Sequence, residues 1–301
     1  MPIVTTLCLG EALVDLICER PLHDVAEADA FVPAFGGVAA NVAVTAARHG
    51  AAIALAGGAG ADPWGRWLRA RLEREGVDLR WFELGEEART RLAFVVVDED
   101  GEPRYDLYGD DPRAVLHALG GRLEEALAAA DGLFLTTNAL VDRAERELVL
   151  DAREQALAAG TPIVFDPNIR LHRWAMRSQA QSYANACVRG ALLVRATAAE
   201  AELMTGESDP ELAARALLKG GARMVVLTRG AAGAMLRGEL RLDVPGVAAE
   251  VRSTVGAGDT LTGVLLARLA LSGYYPAAAA AALPDAVAEA ARATERWGAL
   301  D

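Results

Sequence analysis

From Asp131 onward, strand-like and helix-like segments take turns, and this restricts the fold more than anything else in the chain. Gly132 to Thr136 is a short apolar run, Arg143 to Ala159 has helical spacing, and Pro162 to Phe165 is apolar again. Ala191 to Val194 and Met224 to Thr228 repeat the strand pattern, with a helical stretch reaching Thr205-Gly206 between them. Strands separated by helices pair in parallel, with helices on both faces of the sheet. The 301 residues, 52% of them apolar, suffice for one large α/β domain, with or without a small appendage. Ligands of such folds gather at the carboxyl ends of the strands, so polar residues just past each strand become the candidates for chemistry.

Two glycine-rich turns open helices. The later one, Ser253-Thr254-Val255-Gly256-Ala257-Gly258-Asp259-Thr260, precedes an apolar helical pattern at Leu261, Val264, Leu265 and Leu269. The amides of Gly256, Ala257 and Gly258 have no partner within that helix and can point at an anion. Asp259, in the first turn, either complements the helix dipole or stands as an acid beside an anion pocket. The second arrangement suits phosphoryl transfer, in which amides hold phosphate oxygens and a carboxylate takes a proton from the attacking hydroxyl. The earlier turn runs Phe35-Gly36-Gly37-Val38-Ala39-Ala40-Asn41, with the helix ending at His49-Gly50. It reads as tight packing or as room for a ligand, with Asn41 offering both a donor and an acceptor. Asp15 is the lone acid inside the apolar run Ala12 to Glu19. It faces solvent on a half-exposed strand, or it is buried and needs partners or a ligand.

Three further strand ends carry polar groups: Asp166-Pro167-Asn168-Ile169-Arg170, Arg195 to Glu200, and Thr228-Arg229-Gly230-Ala231-Ala232-Gly233. Each has a plain reading, as an Asp-Pro turn, a solvated first-turn acid and a hairpin turn respectively. Thr90 to Asp98 and Pro103 to Tyr108 flank Glu99-Asp100-Gly101, a hairpin signal. With Ala12 to Glu19 and Phe31 to Phe35 they form a small separate sheet or an antiparallel extension of the main one. Pro63 fits the first position of a helix, Arg66 to Glu75, capped by Asp62. Pro276 to Arg296 reads as an Ala-rich helical stretch interrupted at Pro284.

Composition removes several classes. A net charge of −12 argues against nucleic acid as a partner. No apolar run approaches the ~20 residues of a membrane span, and Met1 to Gly10 has no basic region of a signal peptide. Cys8, Cys18 and Cys187 lack metal or redox spacing, which suits a reduced, cytoplasmic protein. The single lysine, Lys219, precedes Gly220-Gly221, so a Walker-type phosphate loop is excluded. The glycine spacing at Gly57 to Gly65 is wrong for a dinucleotide fingerprint, so a dehydrogenase is not expected.

The turn around Asp259 resembles the C-terminal signature of the ribokinase-like (PfkB) carbohydrate kinases, Asp-Thr-x-Gly-Ala-Gly-Asp. Gly36-Gly37 to Ala43 resembles the N-terminal signature, Gly-Gly-x-x-x-Asn-x-Ala. Gly10-Glu11-Ala12-Leu13-Val14-Asp15 and the Asp166 to Arg170 segment with Trp174 are similar to the fructokinase and 2-keto-3-deoxygluconate kinase branch. The resemblance spans nearly the whole chain, with the motifs in order. It implies one ribokinase-like three-layer α/β/α domain over residues 1–301, with a mostly parallel central sheet. A discontinuous β lid would come from about residues 12–35 and 90–108, on the strand pattern, and in the family such a sheet often serves as a homodimer surface. It further implies an ATP-dependent kinase acting on a small-molecule sugar. Asp259 would be the base, and Gly256, Ala257 and Gly258 the anion hole. Asp15, Gly36, Gly37, Asn41 and Arg170 would hold the sugar. Thr228, Gly230, Gly233 and Thr254 would hold the nucleotide, and Glu200 would organise Mg²⁺.

The chain departs from the pattern in four places. Ser253 replaces an Asp that helps hold a monovalent cation in several members, which puts potassium activation in doubt. Arg195 and Thr197 replace a Lys and an Asn ahead of Glu200. Gly109-Asp110-Asp111 stands where an Arg commonly follows an aromatic pair such as Tyr105 and Tyr108. No Asn is found for the adenine in the last helical stretch. Fructose is the first expectation for the acceptor and 2-keto-3-deoxygluconate the second. A nucleoside kinase of the same fold and a non-catalytic sugar- or nucleotide-binding relative are the rivals.

Overall fold

A computed structural model of the chain describes residues 5–109 and 119–300. Ile3 to Leu9 reads from its apolar run as an opening strand, and its first two positions lie outside those residues, as do Asp110-Asp111. The chain begins with β1 (Thr5–Leu9), β2 (Leu13–Pro21), β3 (Val32–Gly36), α1 (Val38–Arg48), β4 (Ala52–Gly60), α2 (Pro63–Arg74) and β5 (Phe82–Gly85). The hairpin β6 (Leu92–Val97) and β7 (Pro103–Tyr108) follows, then α3 (Leu123–Ala128), β8 (Gly132–Thr136), α4 (Arg143–Ala159) and β9 (Ile163–Asp166). Next come α5 (Arg177–Val188), β10 (Leu193–Thr197), α6 (Ala198–Thr205), α7 (Pro210–Lys219) and β11 (Met224–Thr228). The chain closes with β12 (Ala234–Gly238), β13 (Leu242–Val244), α8 (Ala257–Leu271) and α9 (Pro276–Ala293).

The main sheet has nine strands in the order β13-β12-β11-β10-β9-β8-β1-β4-β5. Its strands pair in parallel from β11 across to β5, and β12 and β13 add an antiparallel edge. The alternation of strand side chains divides the core between two faces. Cys8, Phe134, Val164, Leu193 and Val226 point to the layer of α1, α8 and α9. Leu7, Leu9, Leu133, Leu135, Phe165 and Val194 point to the layer of α4 to α7. This is the expected three-layer α/β/α arrangement. Four strands in the order β3-β2-β6-β7 form the separate small sheet, so the alternative of an extended main sheet does not hold. Among the described residues no helix is long and apolar enough to cross a membrane.

Two features differ from the sequence expectation. First, the apolar run Ile53 to Ala56 reads as a strand ended by Gly57-Gly58, but β4 does not stop at Ala56 and runs on through Gly57, Gly58, Ala59 and Gly60 to pair with β5. A Cβ on Gly57 would lie 2.4 Å from the carbonyl oxygen of Gly10, so the missing side chain lets two backbones touch where β1 ends. Second, α9 passes unbroken through Pro284. An interior proline costs ~3 kcal/mol. Leu283 and Val287, buried on either side of it, each contribute about 1.5–3 kcal/mol, and Ala279, Ala282 and Ala286 add to the buried face. Packing therefore outweighs the lost hydrogen bond.

The strand order reverses at β1, whose neighbours β8 and β4 lead off in opposite directions. Such a switch point leaves a crevice at the carboxyl ends of the strands. The helices α1 and α8 cross over it in close contact: a Cβ on Gly263 of α8 would lie 2.4 Å from the Thr45 Cβ of α1. A mid-helix glycine costs roughly 0.5–1 kcal/mol relative to Ala, and here it lets the two helices bring their first turns to the same crevice.

Candidate active site

A cavity of about 900 Å³ occupies that crevice and extends under the small sheet. Asp15, Gly37, Asn41 and Arg170 line it toward the small sheet, with Tyr105 of β7. Thr228, Gly230, Gly233 and Thr254 line it toward the β11–β12 edge, with Val247, Val287 and Ala291. Gly256, Ala257, Gly258, Asp259 and Glu200 also line it. The sequence-predicted residues are thus brought together, except that Gly36 is not a lining residue. A Cβ there would stand 2.5 Å from Asp15 Oδ1 and 2.3 Å from the Leu13 side chain, so Gly36 backs the Asp15 carboxylate instead.

Both glycine turns have a local cause. Gly37 is the N-cap of α1 at φ 90°, and Gly256 is the N-cap of α8 at φ 74°. Neither helix has a side-chain cap; at α8 the Ala257 amide makes only a long 3.4 Å bond to the Thr254 carbonyl. Helices α2, α4 and α7, by contrast, are capped by Asp62, Asp142 and Asp209. Gly256 also lies against the C-terminal segment, where a Cβ would be 2.1 Å from the Ala299 Cβ. Gly258 is constrained by Arg195, whose Nη1 would stand 2.7 Å from an added Cβ.

Asp259 is 7% exposed and accepts a hydrogen bond of 2.8 Å from Asn41 Nδ2, a side chain 218 residues earlier in the chain. Burial raises the Asp259 carboxyl above its ordinary value, while the Asn41 hydrogen bond and the charges of Arg170 and Arg195 pull the other way. Asp15 is 5% exposed, and its carboxyl is raised well above the ordinary value by burial and then by Asp259 and Glu11. The Arg170 guanidinium lies 5.5 Å from the Tyr105 ring centroid, a cation–π contact at the cavity wall. Tyr108, three residues along β7, points the other way and is exposed.

Glu200 is engaged by the fold. Its Oε1 accepts from the Ile169 amide at 2.8 Å, and Oε2 accepts from the Thr197 amide and hydroxyl at 2.8 and 2.9 Å. The Thr197 hydroxyl in turn accepts from the Glu200 amide, closing a capping box on α6. A carboxylate offers about four lone-pair sites, and these three donors leave about one, which suits contact with the water shell of a metal ion. Among the described residues there is no cluster of three or more His, Cys, Asp or Glu ready for a metal ion. Ser253 is fully buried, and its Oγ accepts from the Val255 amide at 3.1 Å, shaping the turn before α8.

Sequence reasoning missed a charged group at the inner wall. Glu11 accepts from Arg91 Nη1 at 2.9 Å and from Arg173 Nη1 at 3.2 Å, and Arg173 also donates to Asn138 Oδ1 at 3.3 Å. Burial pushes Glu11 up, but Arg173 and Arg91 together hold it below its ordinary value. Glu145, behind Arg91, is pushed up to about 8 by burial. Glu11 follows the end of β1, and that position was the one signal available.

The family described as pfkB family carbohydrate kinase matches residues 5–297. Fructokinase-1 of Oryza sativa subsp. japonica is 32% identical over 262 residues, covering 86% of this chain and 81% of the relative. Probable fructokinase-7 of Arabidopsis thaliana is also 32% identical, over 269 residues, covering 88% of this chain and 78% of the relative. A fructokinase from Vibrio cholerae O395, crystallised in a fructose, ADP and calcium ion bound form, superposes with a TM-score of 0.82 at 27% identity, covering 99% of this chain and 95% of that one. An aminoimidazole riboside kinase from Salmonella enterica, complexed with aminoimidazole riboside and an ATP analog, also gives 0.82, at 25% identity, covering 98% of this chain and 95% of that one.

The fold and these matches define a ribokinase-like phosphotransferase. The chain belongs to the pfkB family of carbohydrate kinases, and it is a sugar kinase.

Proposed function

We propose that the protein transfers the γ-phosphoryl group of ATP to a hydroxyl of fructose. The observation that carries this reading is the meeting of two helix N-termini in one cavity, with Asp259 held by Asn41 in the uncapped first turn of α8. Asp259 takes the proton of the acceptor hydroxyl. That oxygen bonds to the γ-phosphorus as the bond to the β-bridging oxygen breaks, and ADP leaves. Burial makes the ionised Asp259 a stronger base than an exposed carboxylate. The amides of Gly256, Ala257 and Gly258 bind the charge that develops on the transferring group.

Asp15, Asn41 and the Gly37 turn orient the sugar, with Gly36 backing Asp15, and Arg170 faces the reacting centre. Thr228, Gly230, Gly233 and Thr254 hold the nucleotide phosphates and ribose. Val287 and Ala291 offer the adenine an apolar wall. Mg²⁺, when bound, neutralises phosphate charge, and Glu200 orients its water shell. Ser253 supplies no carboxylate for a monovalent cation, so potassium activation is not part of this reading. The small sheet acts as the lid that excludes water. Its exposed Val32 and Tyr108 support a homodimer through that sheet. The place of action is the cytoplasm, supported by the scattered cysteines.

Fructose is supported by the names of the relatives and by the acceptor-side residues. A second acceptor, 2-keto-3-deoxygluconate, is favoured by Arg170 and Arg173 at that end of the cavity, which suit a carboxylate. ADP release across ketoses, ketodeoxy acids and nucleosides tests the assignment. Fructose is expected to give the highest kcat/KM. A ketodeoxy acid or a nucleoside in first place would replace it, and sugar binding without turnover of any acceptor would favour a non-catalytic binder.

A further inference from the structure

Glu11 and Arg91 take no part in the chemistry above, yet Glu11 lines the cavity together with Arg173 and Asn138. The group is assembled from distant parts of the chain. Glu11 follows β1, Asn138 follows β8, Arg173 follows β9, and Arg91 precedes β6 of the small sheet. The side chains of Glu11, Arg173 and Arg91 are 7%, 9% and 10% exposed. Glu11 is held as a bound carboxylate would be. Its Oε2 accepts from Arg91 Nη1 at 2.9 Å, and Arg173 Nη1 reaches both oxygens, Oε1 at 3.2 Å and Oε2 at 3.4 Å. The same Arg173 nitrogen donates to Asn138 Oδ1 at 3.3 Å, and Asn138 Nδ2 donates to Asn168 Oδ1 at 3.4 Å. Arg91 Nη2 lies 3.7 Å from Glu145 Oε1 on the side away from Glu11.

A buried ion cluster is weak support for stability, since well-packed apolar side chains in its place are often as good or better. Its place at the cavity wall gives it another use. Two guanidiniums converging on one carboxylate is the arrangement by which proteins hold an acid, and here the acid belongs to the chain itself. Arg91 stands behind, lining with Leu13, Leu107 and Tyr108 only a small void beside Glu11 and Arg173. The cavity therefore meets Glu11 and Arg173 as a pair whose charges cancel. The charge of Glu11 also reaches the acceptor side, where it helps raise the Asp15 carboxyl. A carboxylate on the acceptor would find Arg173 engaged and a like charge beside it. A hydroxyl, which can donate and accept, meets no such penalty.

Resting on the kinase reading, we propose that Glu11 is a specificity-determining residue that closes the acceptor end to sugar acids. It occupies the arginine pair as an internal counter-anion, so a neutral sugar is taken and an aldonic or ketoaldonic acid is refused. Discrimination of this kind works by making the wrong ligand unfavourable, not only by fitting the right one. Of the two arginines that suit a substrate carboxylate, Arg173 is spent on Glu11, and Arg170 alone favours an acid.

The test compares fructose with 2-ketogluconate, which is fructose with its C1 hydroxymethyl group oxidised to a carboxylate. The proteins are the native enzyme, Glu11→Gln and the double variant Glu11→Gln/Arg91→Met. Calorimetry gives the affinity for each compound, ADP release gives kcat/KM, and thermal melting checks the fold. The native enzyme is expected to bind the acid more than about tenfold more weakly than fructose. Glu11→Gln keeps the shape of the side chain and one acceptor oxygen but removes the charge. It is expected to shift the affinity ratio toward the acid by about 10–100-fold, with a smaller loss for fructose. An unchanged ratio in Glu11→Gln overturns the proposal, whatever happens to the rate. If Glu11→Gln does not fold, the double variant, which removes one charge of each sign, decides by the same ratio. If neither folds, the native enzyme decides: acid bound within about tenfold of fructose overturns the proposal, and weaker binding supports it. Native enzyme that releases no ADP with any sugar refutes the kinase reading instead, whereas native turnover of fructose with an unchanged ratio in Glu11→Gln refutes only the role of Glu11.

Discussion

Helices α1 and α8 begin in the same way and end up with different work. Each starts at a glycine in the left-handed region, each lacks a side-chain cap, and each opens on the same cavity. They differ in what stands behind the turn. Gly37 is pressed against backbone, where a Cβ would lie 2.5 Å from the Glu11 carbonyl oxygen, whereas Gly258 is pressed against the Arg195 guanidinium. They differ also in the side chain presented, a neutral amide at Asn41 and a carboxylate at Asp259. The α1 end is a rigid, neutral shelf suited to placing hydroxyls. The α8 end is a charged, preorganised pocket suited to binding an anion and moving a proton. The single hydrogen bond from Asn41 to Asp259 joins placement to chemistry.

A paired substitution tests this division most severely. Gly258→Val pushes a branched side chain into Arg195 and is expected to cost about 10²–10³-fold in kcat, while Gly37→Val raises the KM for sugar chiefly. Steady-state kinetics on both variants checks this, and equal losses of kcat would erase the distinction. Asn41→Ala sharpens the link between the two ends. It removes the hydrogen bond that lowers the Asp259 carboxyl, so that group rises further. With Asp259 as the proposed base, which works only when ionised, activity is lost as pH falls through its pKa. The acid limb of the kcat/KM profile therefore moves to higher pH, with a loss of about 10–100-fold in rate near neutrality.

A smaller effect is expected where the helices cross. Gly263→Val meets Thr45 and is expected to cost about 1–3 kcal/mol of stability by overpacking, read as a lower melting temperature. Retained stability would show that α1 and α8 do not depend on this contact. The smallest effect concerns Glu145, behind the inner wall. Its carboxyl sits at about 8 against an ordinary 4.5, so its contribution to stability is full below 4.5 and is lost as pH rises through about 8. Glu145→Gln is expected to melt higher than the native protein by a margin that grows as pH rises from 4.5 to about 8, and nearly alike below pH 4.5. A difference independent of pH would contradict the assigned ionisation.

Much of this was legible in the sequence because it is local. Strand–helix alternation after Asp131, the Asp62 cap with Pro63, the Glu99-Asp100-Gly101 hairpin and both glycine turns are written in contiguous residues. The continuation of β4 through Gly57 to Gly60 was not legible, since its cause is a backbone contact with Gly10, just past the end of β1. Nor was the unbroken α9, where burial against α8 outweighs the local penalty of Pro284. The charged inner wall joins Glu11 to side chains 80 and 162 positions away, and no pattern in sequence encodes such a pairing. Arg195 shows the same limit. Its sequence position marks a departure from a family pattern, but only the fold places it against Gly258.

The most direct test is turnover by Asp259→Asn with saturating fructose and Mg·ATP, measured as ADP release beside fructose binding by calorimetry. The account predicts that the native enzyme turns over and that the variant loses about 10³-fold or more in kcat, while fructose affinity largely survives. Turnover in the variant within about tenfold of native, a barrier difference under ~1.4 kcal/mol, would contradict the assignment of the base.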